Sequence, residues 1–169
     1  MNRVKLTALA AAAGIGVVLV PLAAQAGHDN TVLETSLSGD NEISPDGKRG
    51  AGDPNGSGEA YVFGIDGDAT TLCYVIDVEK ISGLKRPPGA KRAAHIHEGA
   101  AGTNGPVVVA LAFPRGGQSA DCVSESEAAF IPGGTTVAEI LANPADYYVN
   151  VHNFNYPAGA VRGQLKVAD

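Results

Sequence analysis

The sequence has 169 residues, 44% apolar and 18% charged, with 22 glycines, 10 prolines, two cysteines and no tryptophan. That length holds one domain, and the Gly and Pro content argues against a mainly helical fold while falling short of a low-complexity or collagen-like chain. Twelve basic residues against 18 acidic ones give a net charge of −6, which excludes general nucleic-acid binding because phosphate contacts need a basic face.

Asn2-Arg3-Val4-Lys5 is a short basic head, Leu6 to Ala24 is apolar or small, and Ala24-Gln25-Ala26 precedes Gly27-His28-Asp29. This is the three-part layout of a secretory signal peptide, predicted over 1–26 with cleavage after Ala26. The rival reading is an uncleaved anchor, since the apolar run nears the minimum spanning length of about 17 residues. Pro21 and the small-x-small site favour cleavage, which leaves no stable membrane span, and no cysteine follows the site to take a lipid. The mature domain is then 27–169, and its charge moves from −6 to −8 as Arg3 and Lys5 leave. Export gives the cysteines a reading too. In an oxidising compartment Cys73 and Cys122 pair most simply as a disulfide, because no third thiol competes and neither stands in a C-x-x-C or metal-ligand spacing. Two free buried thiols are the competing reading.

Short stretches of two-residue alternation then recur between turn-forming clusters. Thr31 to Leu37 puts Leu33, Thr35 and Leu37 on one side. The Gly, Asp, Pro and Asn-rich stretch 39–58 predicts an exposed loop that packs no core; a loose Ca site from Asp40, Asp46, Asp53 or Asn55 is the alternative to plain turn chemistry there. Tyr61, Phe63 and Ile65 alternate up to Asp66-Gly67-Asp68, and Leu72, Tyr74, Ile76 and Val78 alternate after it, which predicts a hairpin. Lys80 to Arg92 carries Lys80, Lys85, Arg86, Lys91 and Arg92 around Pro87-Pro88-Gly89, the one basic patch of an acidic chain. It reads either as a solvated loop or as a seat for an anionic partner.

Ala93 to His97 predicts a short strand, Pro106 to Leu111 a more deeply buried one, and Cys122 to Glu127 is a further candidate. Between Gly134 and Pro144 the period changes. Thr136 with Glu139 makes a capping box, Val137, Ile140 and Leu141 give an apolar stripe, and Pro144 stops the segment, so one short helix is predicted. Tyr147 to His152 and Ala160 to Val167 return to alternation. About seven or eight strands with one short helix predict an all-β antiparallel sandwich or barrel.

His95-Ile96-His97 carries the most chemistry. Side chains alternate faces along a strand, so both imidazoles point one way and Ile96 the other. In Tyr147 to His152 the same arithmetic sets Tyr147, Val149 and Val151 on an apolar face and Tyr148, Asn150 and His152 on the opposite one. If the two strands are neighbours, His95, His97 and His152 form a three-imidazole site for Cu or Zn. The plainer reading has these histidines hydrogen-bonding Glu98, Asn150 or a loop carbonyl to hold the following Gly-rich turn, and general acid/base use is a third. The residues offer no nucleophile elbow, phosphate loop or EF-hand spacing, so no catalytic residue is assigned.

Ala94-His95-Ile96-His97-Glu98-Gly99 running on to Val109, then Asn143 to His152, then Pro157-Ala158-Gly159-Ala160-Val161-Arg162-Gly163-Gln164-Leu165, resemble the CHRD domain, named for chordin and found also as a stand-alone secreted bacterial protein. The similarity runs from about Thr31 to Val167 and includes Leu72-Cys73-Tyr74 and Cys122. The resemblance implies an extracellular, immunoglobulin-like β-domain without an established enzymatic activity, a binding or structural module whose partner is an extracellular ligand or cell-surface component. Growth-factor binding, which belongs to chordin, does not carry over. Tyr148, Asn150, Arg162 and Gln164 are the ligand-binding candidates beside the histidines. The His-x-His strand with a later His is also similar to the copper face of Cu/Zn superoxide dismutases. Those enzymes need more histidines and a zinc subsite, and only His28 remains here.

Overall fold

The computed structural model describes residues 31–131 and 134–169. The predicted leader over 1–26 and His28 lie outside the described residues. The strands are β1 (Val32–Ser38), β2 (Ser57–Ile65), β3 (Asp68–Glu79), β4 (Ala94–Glu98), β5 (Val107–Leu111), β6 (Gln118–Ser124), β7 (Tyr147–Val151), β8 (Val161–Gln164) and β9 (Lys166–Val167), with one α-helix, α1 (Val137–Ala142). They form one antiparallel sheet in the order β5-β4-β7-β8-β1-β2-β3-β6, with β9 paired to β1. A Val109–Phe130 bridge extends the β5 edge. At the end of β5, Ala112 N–H donates to the Tyr74 phenol (2.7 Å) and Ser119 Oγ donates to the Ala112 carbonyl (2.9 Å), which ties this edge back to β3 and β6. The sheet therefore curls into a nearly closed barrel, the second of the two predicted forms.

Period-2 alternation decides what enters the barrel. Leu33, Thr35 and Leu37 of β1 and Leu72, Tyr74, Ile76 and Val78 of β3 are buried as predicted, and Val137, Ile140 and Leu141 of α1 join the same core. The helix has the predicted capping box: Glu139 N–H donates to Thr136 Oγ1 and Thr136 N–H donates to Glu139 Oε2. The hairpin turns at Asp66-Gly67, with Gly67 at φ 80°, the left-handed conformation glycine tolerates. Cys73 and Cys122 face each other across β3 and β6 and form the predicted disulfide.

The phase of β2 is set by its neighbour, and two sequence expectations are corrected. In β2 the inward residues are Ala60 and Val62, while Tyr61 and Ile65 face solvent. Register explains this: Gly58, Ala60, Val62 and Gly64 lie opposite Val78, Ile76, Tyr74 and Leu72, so small residues fill the space that large ones leave. The strand expected at Cys122 to Glu127 starts earlier, at Gln118, and ends at Ser124. The loop expected to be exposed over 39–58 folds back on the barrel and ends where β2 begins, with Glu42, Ile43 and Asp53 buried. Glycines allow that approach; a Cβ on Gly39 would sit 1.9 Å from the Asp53 carbonyl oxygen.

Candidate metal centre

The centre lies on the outer face of the β4-β7-β8 strip. In register, His95 pairs with Asn150 and His97 with Tyr148 across β4 and β7; Asn150 and Tyr148 pair in turn with Arg162 and Gln164 of β8. Ile96, Val149, Val151 and Val161 turn into the core, so the polar members of each strand share the opposite face, as the alternation predicts. That face is not open to solvent as an exposed strand would be. His97 is 9% exposed, and Tyr148, Asn150 and Arg162 are buried. The 39–56 loop and the turn at 99–105 cover it: Asn150 Nδ2 donates to Glu42 Oε2 (3.3 Å), Arg162 donates to the Thr103 carbonyl and Asn104 Oδ1, and Asn104 donates to the Ile43 carbonyl.

His95, His97 and His152 converge so that one ring nitrogen from each lies within 4.8 Å of the others. Three metal–nitrogen bonds of about 2.1 Å set the nitrogens about 3.4–3.6 Å apart, so the rings have to close in by up to about 1.4 Å to share one ion. The hydrogen bonds fix which nitrogens are free. His97 Nδ1 lies 2.9 Å from the Gly105 carbonyl and His152 Nδ1 lies 3.1 Å from the Pro157 carbonyl. A carbonyl only accepts, so both Nδ1 atoms carry the proton and donate it, which leaves each Nε2 as a lone pair. Those two Nε2 atoms and His95 Nδ1 are buried without a hydrogen-bond partner. Carbonyl-held imidazoles presenting the other nitrogen inward are the usual second shell of a metal site.

Burial also keeps these rings neutral, the form that binds metal. It pushes His95 down to about 3, aided by His152, His97 and the Arg92 charge. It pushes His97 down to about 4, against the Gly105 hydrogen bond and with help from His152 and Arg162. His152 is lowered by burial as well, opposed by its Pro157 contact.

Tyr148 braces His97. Its ring stacks on the imidazole at 4.8 Å between centroids and 9° between planes, and the Arg162 guanidinium covers its other face at 3.4 Å. Gly105 N–H donates to the Tyr148 phenol (3.2 Å), so one glycine fixes both rings. A Cβ there would lie 1.6 Å from the Glu98 carbonyl oxygen, so only glycine fits. Gln164 Nε2 donates to the Gly99, Ala145 and Tyr147 carbonyls. Asn150, Arg162 and Gln164 thus spend donors on the protein itself, Tyr148 accepts from Gly105, and a cleft of about 210 Å³ beside Arg49, Arg162 and Gln164 is what stays open.

Sequence reasoning missed Gly105, Pro157 and Glu42. The first two act through backbone carbonyls, which no residue pattern marks. Glu42 sat in a stretch read as solvated loop. The loose Ca alternative is not assembled: Asp53 accepts from Ser82 and Asn55, and Asp46 pairs with Lys48. Among the described residues the three histidines are the only group of His, Cys, Asp and Glu gathered closely enough to hold an ion, and no zinc subsite of the dismutase kind accompanies them.

Glu42 is 2% exposed and its Oε1 has no partner. Burial pushes its carboxyl from 4.5 up to about 8, against the Arg162 charge and the Asn150 hydrogen bond. Between those values the unfolded chain releases a proton that the folded one keeps, so stability falls as pH rises through this window. Glu42→Gln is expected to match the wild type near pH 4 and to exceed it by roughly 4 kcal/mol near pH 8. Urea unfolding at both pH values checks this; equal stabilities at pH 8 would contradict a neutral buried Glu42.

A family model described as the CHRD domain matches residues 33–165, most of the chain. No curated protein and no solved structure matches it.

Proposed function

Because the chain belongs to the CHRD domain family, we propose that it is an extracellular, non-enzymatic binding module, and that the ligand its outer face is built to hold is a single Cu or Zn ion on His95, His97 and His152. The observation that carries the metal is the convergence of three buried, unpartnered imidazole nitrogens, two of them fixed in their tautomer by backbone carbonyls. Leaving three polar atoms buried and unsatisfied is costly without a ligand, about 1–3 kcal/mol each. The disulfide and the leader-like segment 1–26 support an oxidising, extracellular setting. No helix among the described residues is long and apolar enough to cross a membrane.

Three imidazoles leave a fourth coordination position. The Irving–Williams order places Cu(II) above Zn(II) at such a nitrogen site, so copper is the tighter ligand when both are present. Elemental analysis of protein dialysed against each metal tests the reading. One ion per chain is expected, lost when His95, His97 and His152 are replaced together by alanine. Protein that takes up no stoichiometric metal would leave a binding or structural module for some other extracellular ligand.

A further inference from the structure

Six cations lie in two nearby segments, the first of which begins at Lys80 directly after Glu79 at the end of β3. Five come from Lys80 to Arg92; the fold adds Arg115, which follows β5. Lys85, Arg86 and Arg115 line one cleft of about 340 Å³, with Pro87 and Phe113 among its walls. Among the described residues, ion pairs join Lys48 to Asp46 and Lys166 to Glu34 and Asp169, and none reaches any of these six. On a chain of net charge −6, an unpaired concentration of one sign repels itself and is retained at a cost in stability.

The cleft is held in shape rather than left loose. Asn153 and Asn155 both donate to the Ser82 carbonyl, and Ser82 in turn donates to buried Asp53 through its N–H and Oγ. Phe154 N–H donates to the Lys85 carbonyl (2.7 Å), and Phe154 is 56% exposed. Glycines at 83 and 89 make the turns with φ 81° and 80°. A preorganised cationic cleft loses little freedom on binding.

We propose that this cleft binds a linear acidic polysaccharide, its carboxylate or sulfate groups on Lys85, Arg86 and Arg115 and a sugar face against Phe154. Guanidinium forks match carboxylate and sulfate oxygens in pairs. A concave cleft admits a narrow chain, whereas a planar bilayer meets only its rim. The extracellular nature of the polymer rests on the export reading above. The charge-dependent binding does not, and N-terminal sequencing of the exported chain tests export separately.

The test uses immobilised heparin and soluble polygalacturonate as probes, with EDTA present so that the metal centre plays no part. Wild-type protein is expected to bind, with affinity falling about thirty-fold between about 50 and 200 mM NaCl if three cations release counterions. Lys85→Glu/Arg86→Glu/Arg115→Glu is expected to lose both the binding and the salt dependence while its melting temperature is no lower than that of the wild type. Arg49→Glu, outside the cleft, is expected to bind as the wild type does. Equal binding by the triple variant, no binding at 50 mM NaCl, or binding to phosphatidylserine vesicles without binding to either polysaccharide each overturns the proposal.

Discussion

Zn(II) or Cu(II) in excess is expected to raise the melting temperature by about 10 °C, and His97→Ala is expected to remove nearly all of that gain. A ligand that binds only the folded state adds about 4 kcal/mol at a thousand times its dissociation constant, and a domain of this size gains a few degrees per kcal/mol. His97 is the ligand to remove because its lone pair is the most firmly aimed, with Gly105 holding Nδ1 and Tyr148 stacked on the ring. Losing one of three nitrogen ligands is expected to weaken the metal by about two to three decades, a share of the about 10–16 kcal/mol that a full structural zinc site supplies. Calorimetric scans with and without metal, for wild type and variant, read both effects. Because alanine also removes a stacking partner, His152→Ala serves as the second probe; a metal-induced shift that survives both substitutions would sink the three-histidine centre.

Removing the disulfide is expected to lower the melting temperature by about 10–20 °C. Cys73 and Cys122 are 49 residues apart, and closing that loop in the unfolded chain is worth about 4 kcal/mol in the chain-entropy treatment. The location makes the staple matter. β6 ends the strand order and β3 is its only neighbour there, while Val123 is its one buried apolar side chain. Hydrophobic burial therefore does little to hold this edge, and the covalent link supplements its backbone pairing. The Cys73→Ala/Cys122→Ser variant is expected to show faster amide exchange over Gln118–Ser124 first. A double variant melting within about 2 °C of the wild type would show that the edge is held by other means.

What the sequence made legible follows from periodicity. His95-Ile96-His97 and Tyr147 to His152 each contain one strand's worth of alternation, which put the three imidazoles on one face once the two strands are neighbours, as β4 and β7 are. The cysteines and the Thr136/Glu139 box were equally plain, since each depends on local chemistry and spacing. The phase of β2 was not, because two-residue alternation leaves open which set faces inward when large side chains occupy the solvent side. Opposing strands decided it: Tyr74 and Ile76 needed Val62 and Ala60 across from them. The 39–56 loop misled for a related reason. Its glycines were read as freedom, whereas Gly39 and Gly52 provide close packing, and a Cβ on Gly52 would sit 2.5 Å from the Ala160 carbonyl oxygen. Neither the cover over the histidines nor the Arg162–Tyr148–His97 stack was readable from spacing, because each depends on tertiary contacts between distant segments.

The strand order has a further consequence for timing. β1, the first strand, sits between β2 and β8, so its place in the sheet waits for almost the last residues of the chain. The cover over the histidines is equally non-local, with Glu42 and Asn150 108 residues apart. Contacts of such long range form late, after most of the entropy of loop closure has been lost. A half-made or unfolded chain therefore presents scattered imidazoles and no centre. Any ion the protein carries is acquired after the barrel has closed, from the surroundings in which folding finishes.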